Sequence, residues 1–502
     1  MPTEVSFAQG TNADERTPLV KNNANPAVYA PAQEFLDDYS DDSGEEGREV
    51  VIWKPGKSGF AATLLNVLGD LIGTGLLAAP IAIAHAGWVL GPLFLLIICF
   101  VTLFTLKILI RIIEKDRRLR NFTDVIGYAL GGRGERIVGV LFVIEIAAWI
   151  IALIVLYADS LEAVWPIYTS DQWKVIGLVV IIPTLFLPLR LLSYSSAVGI
   201  FSTASLIAIL IFTGITTPHS PGSIREPAHT DLWPAHGWVK LGTVFGLLIA
   251  GFGGHGLIPN LIHDMKNPKQ ADRVCEIAYG IAMLVYFTVA VFGYLMYGTN
   301  VSDEVSKDLA RTPGVSPWLN QFAVWMVAIN PLTKIALGVR PLADMIFGYF
   351  NLHKTILVPQ GAPTPRYITR PSSPVGSFTD GEDEESSAAY VPDPATSQFV
   401  DPGASHFSIA AESRHDQNER FKSIVRPCVR LGLAILFVIG ALLVPSFETV
   451  MSLLGSAFAV ATMIVIPIWA GGSIFGWTWY DWAILIASSI VGTLGTIATF
   501  LH

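Results

Sequence analysis

Long apolar runs separated by short polar stretches dominate the chain from residue 59 to its end. Between Leu71 and Ile110 the sole charged side chain is Lys107, although about 20 apolar residues suffice to cross a bilayer. At helix length the runs fall at 59–85, 88–111, 136–158, 173–192, 196–215, 240–262, 276–297, 318–347, 424–444, 448–470 and 481–501. This pattern predicts an all-α polytopic membrane protein of about eleven transmembrane helices. The basic residues of the short loops set its orientation. The loop after the second run carries Lys115, Arg117, Arg118, Arg120, Arg133 and Arg136, and the one after the sixth carries Lys266, Lys269 and Arg273. The stretch 159–172 holds acids and no base. The amino terminus is therefore expected in the cytosol. Asn300, in the triplet Asn300-Val301-Ser302, is a glycosylation candidate on the opposite side.

Composition sharpens this picture. Hydrophobic residues make up 52% of the 502 and charged ones 15%, against roughly 25% charged in a soluble protein, which excludes an ordinary soluble enzyme. The formal net charge of −9 is concentrated in residues 1–58 and 351–423, both rich in Pro, Ser, Asp and Glu. Neither stretch has enough apolar surface to offset chain entropy. The expected organisation is a disordered acidic cytosolic tail (1–58), transmembrane helices one to eight (59–348), a disordered cytosolic loop (349–423) and helices nine to eleven (424–502). No basic surface points to nucleic acid. The first fifty residues lack an apolar core, so the first membrane helix is expected to act as the insertion signal. Glu15-Arg16-Thr17-Pro18-Leu19-Val20 has the form of an acidic dileucine sorting signal. The three cysteines, Cys99, Cys275 and Cys428, predict no structural disulfide.

Candidate chemistry centres on the first and sixth runs. Gly69, Gly73 and Gly75 lie near the middle of the first, with Pro80 after them. In the sixth, Gly251, Gly253, Gly254 and Gly256 lie at similar depth, followed by Pro259. Each glycine costs about 1 kcal/mol in a helix interior, so each cluster predicts an interruption whose freed backbone must line a protein cavity. Both clusters imitate a dinucleotide fingerprint, but that motif requires a preceding strand, a soluble helix after it and an acid about twenty residues on, whereas after Gly75 the chain stays uncharged until Lys107. The alternative is that the glycines allow close helix packing. The two interruptions open successive groups of five helices that enter from opposite sides, as inverted repeats do, and such pairs point to a secondary transporter's binding site. A half-helix starting near Leu76 presents free N–H groups suited to a carboxylate. Carbonyls freed at Ala250, Gly251 and Phe252 suit an ammonium group. Together they suit an amino acid, held by Gly73, Thr74, Gly75 and Leu76 on one side and by Ala250, Gly251, Phe252, Gly253 and His255 on the other.

The blocks GDLIGTGLLAAPIAIAHAGWVLG, GHGLIPNLIHDMKNP, NPLTKIALGVRPL and VPSFETVMSLLGSAFAVATMIVIP resemble those of the amino acid/auxin permease family. PGSIREPAHTDLWP resembles its branch of fungal vacuolar amino-acid transporters and vesicular inhibitory amino-acid carriers. The resemblance covers nearly all of residues 58–501 outside the 351–423 loop. It implies a LeuT-like core of two inverted five-helix repeats with helices one and six broken, and proton-coupled amino-acid movement. The implied setting is the vacuolar membrane, with a plasma-membrane proton symporter or an amino-acid sensor as alternatives. Asp70 stands where relatives are expected to be neutral.

Asp70 and Glu145 fall roughly 12–15 Å into the apolar core when counted at 1.5 Å per residue. Ionisable groups at that depth face a pathway or a partner. Lys334, in the eighth run, either snorkels to the interface or reaches the first break. In the resembling fold sodium-coupled members hold their ion there, so an ammonium would take the cation's place. Asp70, Glu145 and Lys334 are thus the candidates for proton coupling. His255 lines the cavity or caps freed carbonyls, Phe252 is read as cavity lining, and His85, His263 and Asp264 as interfacial. With no CxxC pair, HExxH or Walker loop, the expected partners are an amino acid, protons and membrane lipid, with no enzyme chemistry, cofactor or metal.

Overall fold

The computed structural model describes residues 58–116, 119, 121–186, 189–313, 317–350, 352 and 409–501. The acidic tail, the sorting motif and most of the acidic loop lie outside them. Among the described residues the fold is helical, and eight helices are long and apolar enough to cross a membrane. The remaining passes are made by interrupted helices.

The first pass is α1 (Phe60–Leu71), a 3-10 turn (Thr74–Ala78) and the start of α2 (Ala79–Lys115). At Gly87, where φ is +77°, α2 doubles back into the second pass. A Cβ on Gly91 would lie 3.2 Å from the Cα of Ile83, whereas a straight helix would carry those residues about 12 Å apart. Gly131, with φ +74°, divides α3 (Phe122–Val164) in the same way. The third pass therefore follows a short separate helix whose start is capped by Asn121 and Asp124.

The fourth pass consists of α4 (Ser170–Ile176) and α5 (Leu178–Thr184), and α6 (Leu189–Thr216) is the fifth. The sixth is α7 (Lys240–Gly251) and α8 (Ile258–His263), with α9 (Ala271–Tyr297) the seventh. A short α10 (Val305–Arg311) precedes α11 (Pro317–Tyr349), the eighth pass. The ninth is α12 (Ile409–Leu443). The tenth runs through α13 (Phe447–Leu453), a stretch of wide π-helical turns (Leu454–Val465) and α14 (Ile466–Phe475), and α15 (Trp479–Phe500) ends the fold. Two expectations need adjustment. The fifth helix starts at Leu189 rather than 196, and α12 starts at Ile409 rather than 424. Residues 409–423, expected to be disordered, are helical because IAAESRHDQNERFKS is rich in good helix formers.

The loops sort onto two faces. On the first, Ser58 N–H donates to Asp264 O at 2.8 Å and Lys266 N–H to Ser58 O at 2.9 Å, joining the start of the first pass to the end of the sixth. On the second, Trp88 N–H donates to Asp231 O at 3.1 Å and Thr299 N–H to His229 O at 3.1 Å. Lys307 Nζ reaches Asp159 Oδ2 at 2.7 Å. The first and sixth passes therefore run in opposite directions, as the inverted pattern of their breaks requires.

Candidate functional site

Both interruptions form where glycine clusters place them. In the first pass the helix ends at Leu71, and Ile72 and Gly73 leave helical geometry (φ −89°, ψ 64° and φ −105°, ψ −149°) before the 3-10 turn begins at Thr74. In the sixth it ends at Gly251, and α8 restarts at Ile258. Pro80 and Pro259 each occupy the first turn of the second half, where a missing N–H costs nothing and a fixed φ suits the helix.

The two breaks touch. A Cβ on Gly75 would lie 2.5 Å from Gly251 Cα and 3.0 Å from its nitrogen, so only hydrogen allows the backbones this close. Across the contact stands Tyr286 of α9, whose Oη lies 2.8 Å from Gly251 O and 3.2 Å from Leu71 O. One hydroxyl thus serves the carbonyls that end both first halves, groups left without helical partners. Tyr279, seven residues earlier, reaches Phe252 O at 3.5 Å. Phe252 is fully buried and stacks on Tyr286 at 4.9 Å and on Tyr279 at 6.0 Å between ring centroids.

Asp70 stands at the end of α1, with Oδ2 3.3 Å from where a Cβ on Gly254 would be. That oxygen is buried and accepts no hydrogen bond. Lys334 Nζ lies 3.8 Å from the Cβ position of Gly73, and its charge acts on Asp70. The structure therefore brings Asp70 and Lys334 to the same break. Glu145 faces Thr462 in the π-helical stretch, with Oε2 buried and unpaired. His255 Nε2 lies 2.9 Å from Thr105 Oγ1. That hydroxyl donates to backbone carbonyls of its own helix, so the imidazole is the donor at Nε2. His255 Nδ1 is then a bare lone pair, buried without a partner.

A cavity of about 10 Å³ opens beside the first break, lined among others by Gly73, Thr74, Leu156, Ser202, Leu206 and Asn330. It holds about one water and no amino acid, so this conformation is closed around the site. Asn300 is exposed at the second face. His85 and Asp264 take part in contacts at the two faces, His85 with Glu448 and Asp264 with Ser58. Sequence reasoning did not single out Tyr286, Tyr279, Thr105, Ser202 or Asn330. The one available signal was the seven-residue spacing of the two tyrosines, which places them on one helix face.

A family model described as transmembrane amino acid transporter protein matches residues 56–501. The amino acid transporter AVT1J of Arabidopsis thaliana is 28% identical over 308 residues, which is 59% of this chain and 70% of that protein. AVT1I of the same plant is 28% identical over 325 residues, covering 61% and 75%. Among solved structures, MhsT in complex with L-phenylalanine matches at 12% identity and a TM-score of 0.45, covering 91% of this chain and 99% of that one. A Na+-coupled sialic acid symporter in a substrate-bound outward-open state matches at 11% identity and a TM-score of 0.47, covering 89% of each.

Proposed function

The chain belongs to the transmembrane amino acid transporter family, and on that premise we propose that it exchanges protons for neutral amino acids across the vacuolar membrane. The observation that carries this reading is the contact of the two breaks at Gly75 and Gly251, with Asp70 and Lys334 at the same place. Substrate entry separates the breaks. The carboxylate then meets the free N–H groups of Thr74 and Gly75 at the start of a half-helix, where the dipole favours an anion. The ammonium meets the carbonyl of Ala250 and those of Gly251 and Phe252, which each retain a second lone pair beside a tyrosine hydroxyl. The cavity walls contribute hydroxyls, amides and aliphatic groups, including Leu156, Leu206 and Val327. Such walls suit an uncharged side chain.

Asp70 supplies a carboxylate with a buried, unpaired oxygen, the kind of group that must neutralise or find a cation inside a membrane. The Lys334 ammonium fills the role that a sodium ion would otherwise take. A proton moving on and off Asp70 as the site changes sides provides the coupling. The basic loops of the first face support its placement in the cytosol, and the second face then lies toward the lumen. The vacuolar setting rests on the resemblance of the segment before the sixth pass to vacuolar and vesicular carriers.

Purified protein in liposomes, given a panel of labelled amino acids with and without a pH gradient, tests this reading. Uptake into acidic vesicles should persist without sodium and collapse when the gradient is dissipated. Asp70→Asn and Lys334→Met should lose the pH response. Strict sodium dependence would overturn the coupling, and binding without flux would mark a sensor. An unchanged pH response in both variants would move the coupling role to Glu145.

A further inference from the structure

Four side chains from three separate parts of the chain converge on the second face, away from the helix breaks. His85, 5% exposed, sits at the end of the second half of the first pass. Its Nδ1 lies 3.2 Å from Nδ1 of His236, an exposed residue in the loop before α7. The two rings are nearly perpendicular, with centroids 4.9 Å apart. On its other edge, His85 Nε2 lies 3.1 Å from Glu448 Oε1 at the start of α13. Lys240 Nζ, at the start of α7, lies 3.1 Å from the same oxygen. Asp231, on the loop that carries His236, is the remaining charged group acting on that imidazole.

Counting protons fixes what this arrangement can do. Glu448 as a carboxylate only accepts, so His85 carries its proton on Nε2 and presents Nδ1 as a lone pair. His236 then donates Nδ1–H into the gap. A first additional proton goes to the solvent-facing Nε2 of His236 and leaves the contact intact. A second has only His85 Nδ1 to occupy. That sets two N–H groups head to head between two imidazolium rings, and the contact cannot survive. Histidine is the side chain whose charge changes between about pH 5 and 8. Burial, followed by the nearby His85 and Lys240, lowers the His236 imidazole from its ordinary value, against the pull of Glu448 and Asp231.

The latched segment is a wall of the transport site. His85 lies on the same half-helix as Leu76 and Leu77, which line the small central cavity. We propose that His85 and His236 form a separate proton site on the second face, which holds this half-helix against the approach to the sixth pass and releases it when both rings are protonated. Its placement toward an acidic lumen rests on the exchanger reading. There it would open the site to the lumen only when protons are available to be exchanged, and keep it shut when they are not.

Two substitutions at the exposed position 236 should act in opposite directions. Gln in His236→Gln can donate to, or accept from, His85 at any pH and never becomes a cation, so the latch stays shut. His236→Ala removes the latch. Ser202→Cys, on the cavity wall, reports opening through labelling by an impermeant thiol reagent supplied at the second face, with the three chains compared at each pH so that intrinsic thiol reactivity cancels. The chain with His236 should label like the Gln variant at pH about 7.5 and like the Ala variant at about 4.5, with the variants several-fold apart. If it tracks one variant at both pH values, or if the two variants label alike, the latch is refuted. The assay requires no amino-acid flux, so failure of the exchanger reading would show separately, as absent uptake with labelling unchanged.

Discussion

The hydroxyl of Tyr286 closes two helix ends at once, and removing that one atom separates its hydrogen bonds from its stacking. In Tyr286→Phe the ring still packs on Phe252, but Leu71 O and Gly251 O lose this donor. Leaving a buried carbonyl unsatisfied costs about 1–3 kcal/mol. The Phe variant should therefore melt lower in detergent and transport more slowly, and Tyr286→Ala should fall further because the stacking is lost as well. A Phe variant equal to the parent in both assays would mean that these carbonyls find other donors. Asp70 and Lys334 were legible in the sequence because charge at membrane depth is costly and conspicuous. Tyr286 was not, since a tyrosine in an apolar helix reads as ordinary core until its hydroxyl is seen to point at a break. The stacking of Phe252 was hidden for the related reason that its partners come from α9, far along the chain.

At the scale of elements, the breaks were legible because glycine is expensive in a helix and appeared in clusters at two matching places. The individual glycines are not equivalent, however. A Cβ at Gly69 meets only an Ile200 side chain at 3.4 Å, while one at Gly75 runs into Gly251 backbone at 2.5 Å. Gly69→Ala should fold and transport like the parent. Gly75→Ala should cost about 1–3 kcal/mol through overpacking, and Gly75→Leu should abolish transport by obstructing the site. Thermal melting and uptake at matched abundance check the series, and equal behaviour of Gly69→Ala and Gly75→Ala would deny the contact between breaks. Other element boundaries were less visible. Hydropathy cannot see the polar helical turns at 409–423 because they contain no continuous apolar run. It also cannot distinguish one long helix from the two antiparallel pieces joined at Gly131, where a positive φ carries the reversal.

For the whole molecule, the segregation of loops onto two faces gives the second face its own electrostatic character. Lys307 of α10 reaches Asp159 Oδ2 at 2.7 Å and Asp303 Oδ1 at 2.8 Å, with Glu304 Oε1 at 3.6 Å. Asp303 Oδ2 also accepts Phe447 N–H at 3.2 Å. The cluster therefore ties the third pass, the loop after the seventh and the start of the tenth. Burial works against the Lys307 ammonium, but the neighbouring carboxylates, those of Asp303 and Asp159 among them, outweigh it and hold its pKa above the ordinary lysine value. The lysine stays charged throughout the acidic and neutral range. Glu304 has no exposed surface; burial, only partly opposed by Lys307, pushes its carboxyl well above the usual range. Asp308 is raised as well, again by burial. A carboxyl whose pKa is higher folded than unfolded contributes stability that is complete below the unfolded value, about 4, and is lost as pH rises through the folded value. The surroundings of α10 should accordingly be firmer under acid. Amide hydrogen exchange over α10, corrected for intrinsic rates, should show greater protection at pH about 5 than at about 7.5. Glu304→Gln, which imitates the protonated acid, should be better protected than the parent at the higher pH and lose most of the pH dependence, with Asp308 supplying what remains. Comparing the two chains at each pH cancels the contribution of His85 and His236. Greater protection of the parent at pH 7.5 than at 5 would show that Glu304 folds as a carboxylate, with Lys307 rather than burial setting its charge.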